Sequence, residues 1–372
     1  MSLPQMPHTP HVRHTPHPHL LAFLIGTACL LAGCGGGGGE TTPAEPLTAN
    51  ELAVVIANGD ALSESIGLAY QRARGVPAAN VIRIDLPTTQ AAISASDFSA
   101  VKAQLDARLP GHVQATLLTW TQPSRVANST GTCAMGITSA FAFGYDPAYC
   151  GGCNVTQASP YHDSGSSRPW RDHQIRPSMM LGAATLTAAQ ALIDRGVAAD
   201  GSRPSGSGYL MRTSDALRSV RWGDFQALAI RGSGLPGVRM VYSDNSAGTG
   251  SNLVTDRSDV LFYFTGLATV PGIATNRYLP GAAADHLTSH AGRLPDANGQ
   301  MPVTAWLDAG ATASYGTVEE PCNHTGKFPQ ASVLVRRYTA GDTLLEAYWK
   351  SVARPGQGLF VGEPLARPWP AR

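Results

Sequence analysis

The sequence predicts an α/β protein with a mostly parallel sheet and helices on both faces. Short, continuously apolar runs of strand length alternate with longer segments whose apolar residues recur at helical spacing. No internal repeat and no convincing linker interrupts that rhythm after residue 48, so residues 49–372 read as a single domain.

Leu52 to Ala57 is the first buried strand, closed by Asn58-Gly59-Asp60. Ser63 is placed to cap a helix running to Arg74, with Ile66, Ala69, Tyr70 and Ala73 on one face and Gly75-Val76-Pro77 as its stop. Val81 to Leu86 is the next strand. Phe98, Val101, Leu105 and Leu109 space as a helix ended by Pro110-Gly111, and Ala115 to Trp120 is the third strand. Residues 121–177 break the pattern with Pro, Gly, Ser and three cysteines, and read as a long insertion loop. The rhythm resumes with a strand at Met179 to Ala184 and a helix from Thr187 to Arg195. Val238 to Ser243 and Val260 to Thr265 follow as strands. Gly281 to Ala291 and Val303 to Leu307 are expected to be helical. Ala311 to Tyr315 reads as a strand, Ser332 to Tyr338 and Thr343 to Val352 as helices, and Gly358 to Val361 as a last strand.

Composition excludes some functions. Charged residues make up 14% of the chain and the formal net charge is +1. No basic stripe that would neutralise a run of phosphates is found, and no nucleic-acid partner is expected; the three lysines stand against many arginines, a bias without functional meaning here. No cofactor motif is found.

The amino-terminal segment reads as an address. An uncharged apolar run, Leu20 to Leu31, is too short to span a bilayer and suits a secretory signal. Leu31-Ala32-Gly33-Cys34 resembles a bacterial lipobox. That resemblance implies lipidation of Cys34, removal of residues 1–33, and a flexible Gly-rich tether over residues 34–48. The expected location is the bacterial cell envelope, with the membrane as a partner through the lipid anchor. Cys133, Cys150, Cys153 and Cys322 would then meet an oxidising compartment, where disulfides are the default for the first three. Which of them pair, and whether Cys322 joins them, stays open. Cys150-Gly-Gly-Cys153 has no second such pair and lies in a loop, which argues against zinc or redox use.

In open parallel sheets ligands bind beyond the carboxyl ends of the strands. Asn58 to Asp60, Thr121 to Arg125, Gly266 to Tyr278 and Gly316 to His324 meet that rule. The last is densest in reactive groups: Thr317, Glu319, Glu320, Cys322, His324 and Lys327. Cys322 as nucleophile, His286 as base and Glu319 or Glu320 as orienter would make a hydrolytic set. Asn58, Asp60, Asp285 and Thr317 are candidate ligand contacts. The alternative is a polar loop after a buried strand, with Cys322 as an apolar filler. His286 and His290 would share one helix face, but Leu287 stands where the zincin pattern has glutamate, and no metal is assigned.

The stretches Leu279 to Ala282, Asp285 to Ser289, Ala309 to Asn323, Lys327 to Pro329 and Leu359 to Leu365 resemble an uncharacterised family of secreted bacterial proteins. Val54 to Asn58 and Arg74 to Pro77 extend the likeness to most of the mature chain. A more distant likeness runs to gingipain-type cysteine peptidases, through Gly310 to Gly316, Gly341 to Ala347 and Gly362-Glu363-Pro364. It implies a caspase-like fold. Those peptidases place their catalytic histidine between glycines after a core strand, where this chain has Gly266-Leu267-Ala268. Their nucleophile precedes the small-residue strand, whereas Cys322 follows it. Two readings follow: a non-catalytic module binding a peptide, glycan or envelope component, or a divergent cysteine-dependent peptidase or amidohydrolase.

Overall fold

In the computed structural model, residues 45–370 are described. Cys34, the signal segment and most of the expected tether lie outside them. The strands are β1 (Leu52–Ala57), β2 (Val81–Ile84), β3 (Ala92–Ser94), β4 (Ala115–Leu118), β5 (Arg125–Ala127), β6 (Ala134–Gly136), β7 (Ser178–Met180), β8 (Gly206–Arg212), β9 (Val238–Asp244), β10 (Val260–Thr265), β11 (Tyr278–His286), β12 (Ala313–Thr317) and β13 (Gly358–Gly362). The helices are α1 (Ala61–Arg74), α2 (Ala95–Asp106), α3 (Ile137–Phe143), α4 (Pro169–His173), α5 (Leu186–Ala199), α6 (Trp222–Arg231), α7 (Thr304–Asp308), α8 (Ala331–Thr339) and α9 (Leu344–Ser351).

Ten strands form one sheet in the order β2-β1-β4-β7-β13-β12-β11-β10-β8-β9. Pairing is parallel through β2-β1-β4-β7 and through β12-β11-β10-β8-β9. Between these blocks β13 lies antiparallel to β12 and meets β7 at a single bridge, Val361 opposite Met180. The architecture is α/β with a mostly parallel sheet, consistent with a caspase-like fold.

Strands β1, β4, β7, β10, β12 and β13 are buried along their whole length, which is why they read as unbroken apolar or small-residue runs. The helices form two packed groups. α1 rests on β1 and on α5, and Arg195 of α5 donates to the Leu307 carbonyl of α7. On the other face Phe98 of α2 meets Phe141 of α3, Phe143 meets Trp349 of α9, and α8 packs against both α6 and α9. Trp349 stacks on Phe360 of β13 with ring centroids 4.4 Å apart.

Several expectations need correction. Asp60, not Ser63, caps α1: its carboxylate accepts from the Leu62 and Ser63 amides at 3.0 and 2.9 Å. Ser63 is buried and its hydroxyl instead accepts from the Ala57 amide. The segment Gly281 to Ala291, expected as a helix, contains the second half of β11 and then a loop. Alanine is a strong helix former, but propensity amounts to less than about 1 kcal/mol per residue, and pairing between β10 and β12 overrides it. β8 and α6 carry no expectation in the sequence, because Gly206 and Gly208 dilute the apolar signal of β8.

Residues 121–177 are not a plain loop. Short β5 and β6 join β3 in a small sheet, and α3 follows directly. Cys133–Cys150 closes this segment on itself, and Cys153–Cys322 joins it to the loop after β12; the Cα atoms lie 5.0 Å apart in each pair.

The chain just after β13 is fixed by a buried carboxylate. Glu363 has no exposure; Arg74 of α1 grips it through Nε at 2.9 Å and Nη2 at 2.6 Å, and Tyr70 donates at 2.6 Å. Gly196 of α5 lies against the same carboxylate, so closely that a β-carbon there would overlap it. Glu363→Gln leaves the buried Arg74 guanidinium with only the solvent-exposed Asp200 as counter-charge and is expected to cost about 3 kcal/mol in urea unfolding. Gly196→Ala overpacks the same contact and should cost about 1–3 kcal/mol. Wild-type stability for both variants would show that this contact does not hold α1, α5 and β13 together.

Candidate functional site

The loops after β11 and β12 meet the insertion segment at one rim of the sheet. Thr317, the last residue of β12, donates its hydroxyl to the carbonyls of Thr288 and Ser289 at 3.0 and 2.9 Å. Gly292 then returns its amide to the Thr317 carbonyl at 2.9 Å. A β-carbon on Gly292 would stand 2.6 Å from the Gly316 carbonyl, so the close approach needs glycine. Thr288 accepts from Arg218 Nε at 3.2 Å and donates to Gln300 at 2.9 Å, while the His290 amide donates to the same Gln300 oxygen at 2.7 Å. Thr317 is therefore committed to shaping the β11 loop.

His286 is fully buried at the end of β11, and both ring nitrogens are occupied. Nε2 donates to the Met301 carbonyl at 3.1 Å, and Nδ1 accepts from the Trp306 indole at 2.9 Å. Burial is the main cause that pushes its pKa down to about 3, with Arg221 and Arg218 adding to the fall against the opposing Met301 bond. A neutral ring with no open nitrogen cannot take a proton from a nucleophile. Asp285 is likewise buried, paired to Arg221 at 2.6 Å; burial raises its pKa against the opposing guanidinium. Arg221 also donates to the carbonyls of Thr265 at 2.8 Å and Pro329 at 3.1 Å.

Cys322 is bonded to Cys153, so its sulfur carries no thiolate. The expected pair of Cys322 and His286 is not built. Its loop is locked from several sides. The Cys322 amide donates to Glu320 at 2.8 Å, His324 Nε2 donates to the Cys153 carbonyl at 3.0 Å, and Lys327 donates to the Gly152 carbonyl at 2.6 Å. Burial pushes the Lys327 ammonium down to about 8, opposed by Glu319. Glu319 is buried too, and one carboxylate oxygen accepts from the Gly151 amide and from Gln357, both at 2.9 Å. It holds the insertion segment rather than orienting a base.

At the other predicted contacts, Asp60 is the α1 cap, and the exposed Asn58 donates to Asp85 at 2.6 Å. Among the described residues no group of three or more His, Cys, Asp or Glu is arranged to hold a metal ion.

What the structure gathers at the rim differs from the expected set. His290, Glu319 and Glu320 share it with Arg125 of β5 and Arg293. Burial lowers the His290 pKa first; Arg293 and Arg125 push the same way, and Glu320 and Glu319 oppose them. In the sequence His290 figured only as a helical partner of His286, and the two arginines lie 168 positions apart with no motif to join them.

No family model matches the chain, and no curated protein matches it. A solved structure titled "Structure of Protease" is similar to it at 11% identity, over 87% of this chain and 80% of that one, with a TM-score of 0.43.

Two outcomes follow. Iodoacetamide applied to native, non-reduced protein should label neither Cys153 nor Cys322, and label both after reduction; a modified Cys322 in the non-reduced sample would contradict the disulfide. The His286 ring resonances should not titrate between pH 8 and 4. The unfolded chain protonates near pH 6.5, so the stabilisation from burying this neutral ring is complete above that value. It is lost as pH falls toward about 3. A ring midpoint near 6.5 in the folded protein would show an accessible base.

Proposed function

We propose that this protein is an exported, lipid-anchored envelope module that binds its ligand at the loop rim and does not use a cysteine nucleophile. The ligand class is a peptide, glycan or other envelope component. One observation carries the reading: the thiol and the imidazole that a cysteine peptidase would need are both spent on structure, one in a disulfide and one in two buried hydrogen bonds. The two disulfides support an oxidising compartment. Among the described residues no helix is long and apolar enough to cross a membrane; attachment through Cys34 rests on the Leu31-Ala32-Gly33-Cys34 pattern.

The test has two parts. Protein with its disulfides intact is incubated with casein and with fluorogenic peptide amides, beside Cys322→Ala. The expected result is no turnover that depends on Cys322; hydrolysis abolished by the substitution would overturn the reading. Cells expressing the full chain are fed an alkyne fatty acid. Label should enter the wild type and be absent from Cys34→Ala, and equal labelling of the two would remove the anchor.

A further inference from the structure

The loop rim contains two arginines that form no ion pair among the described residues. Ser124 and Leu294 hold each other in the buried layer: the Leu294 amide donates to Ser124 Oγ at 3.0 Å, and that hydroxyl reaches the Leu294 carbonyl at 3.4 Å. This clasp sets their chain neighbours, Arg125 and Arg293, beside one another. Both side chains are half-buried. Arg293 Nε donates to the Val318 carbonyl at 2.8 Å, and Arg125 Nη1 reaches the Ala91 carbonyl at 3.4 Å. Among the described residues neither guanidinium has another hydrogen bond or a carboxylate within 4.0 Å, although thirteen ion pairs form elsewhere. Burial lowers the Arg125 pKa and the charge on Arg293 adds to the fall, so the pair is held together against its own repulsion.

Other clefts offer less. The cavity of about 350 Å³ beside the start of α6 has Arg221 in its wall, but that charge is already answered by Asp285. The carboxylate of Asp224 in the same cavity is used to cap α8, through the Ser332 amide at 3.1 Å.

We propose that Arg125 and Arg293 form the oxyanion-binding subsite of this protein, and that it takes a carboxylate monoanion carried by the ligand. The inference rests on the binding-module reading above. Planar guanidinium forks match a carboxylate in two-point contact, and a half-buried pair of like charges is relieved by a shared anion. The neighbours set the charge of that anion. Glu319 and Glu320 lie in the same cluster and act electrostatically on His290 alongside the two arginines. A second negative charge on the ligand would meet those carboxylates, so a monoanionic carboxylate fits where a phosphate dianion is repelled. A chain-terminal carboxylate of a peptide and a uronic acid of a glycan share this chemistry.

The experiment follows the arginine Nε–H resonances of the disulfide-intact protein by NMR at pH 7.5 and constant ionic strength, titrated with acetate and, separately, with inorganic phosphate. Acetate should give a saturable shift confined to Arg125 and Arg293, with phosphate binding at least tenfold more weakly. Arg125→Gln and Arg293→Gln should each weaken acetate at least tenfold, whereas Arg231→Gln on the far end of α6 should not. Arg125→Lys and Arg293→Lys keep the charge and lose the fork, and should fall between wild type and Gln; they serve where a Gln variant does not fold. Absence of a saturable shift, phosphate binding as tightly as acetate, or wild-type affinity in the folded variants would overturn the subsite. The casein and peptide assays on the same samples report on the binding-module reading alone, so a failure of either idea is recognised separately.

Discussion

A carboxylate without solvent, Glu363, fixes where the last strand can lie. An ionised carboxyl group survives in a protein interior only with a matched cation and full hydrogen bonding. Arg74 and Tyr70 supply both from the last turns of α1, and the Leu365 amide closes on the same carboxylate at 3.4 Å. Because α5 approaches through Gly196, three elements separated widely in sequence share one charged contact. Close packing already resists a slip of register in this sheet, and the buried ion pair adds a directional contact that one position alone satisfies.

The opposite end of β13 repeats the device at the rim that carries the candidate site. Gln357, just before that strand, donates to Glu319, and Glu319 also accepts from Gly151 of the insertion segment. The Cys153–Cys322 bond and the Lys327 contact to Gly152 lie beside it. So the strand is pinned at one end to the helices and at the other to the loops that form the candidate site. Acidic and sulfur groups that look reactive in the sequence turn out to be the fasteners of these loops. Glu346 behaves similarly, caps α9 and accepts from the Leu47 amide at 3.2 Å, which ties the start of the described chain to the domain.

The sheet was largely legible because its strands are buried on both faces and therefore written as short apolar runs; Val260 to Thr265 matches β10 residue for residue. β11 was not, since Gly-Ala-Ala-Ala carries no β-branched signal and its strand state comes from neighbours on both sides. The dense polar loop after β12 was rightly placed at the rim, yet the roles of its residues were not readable. Whether Cys322 is a thiol or half a disulfide depends on a partner 169 positions away. Arg125 and Arg293 offered no pattern at all, because what joins them is a hydroxyl-to-backbone clasp between their neighbours.

The turns after β10 and β11 are both packed by side chains and backbone of one segment, residues 213–221. After β10, the position of Gly266 is pressed against the backbone of Arg218, and a β-carbon there would overlap the Arg218 carbonyl. Thr213 donates to the Gly266 carbonyl at 2.7 Å and Arg221 to that of Thr265, so this turn is held by side chains from the preceding crossover. After β11, Thr288 is enclosed by Arg218 and Gln300. The same arginine-bearing segment, residues 213–221, thus contacts the turns that follow both strands. At the same rim the Arg125 and Arg293 guanidiniums each make one hydrogen bond to protein, to the Ala91 and Val318 carbonyls, where the insertion segment meets the β11 loop.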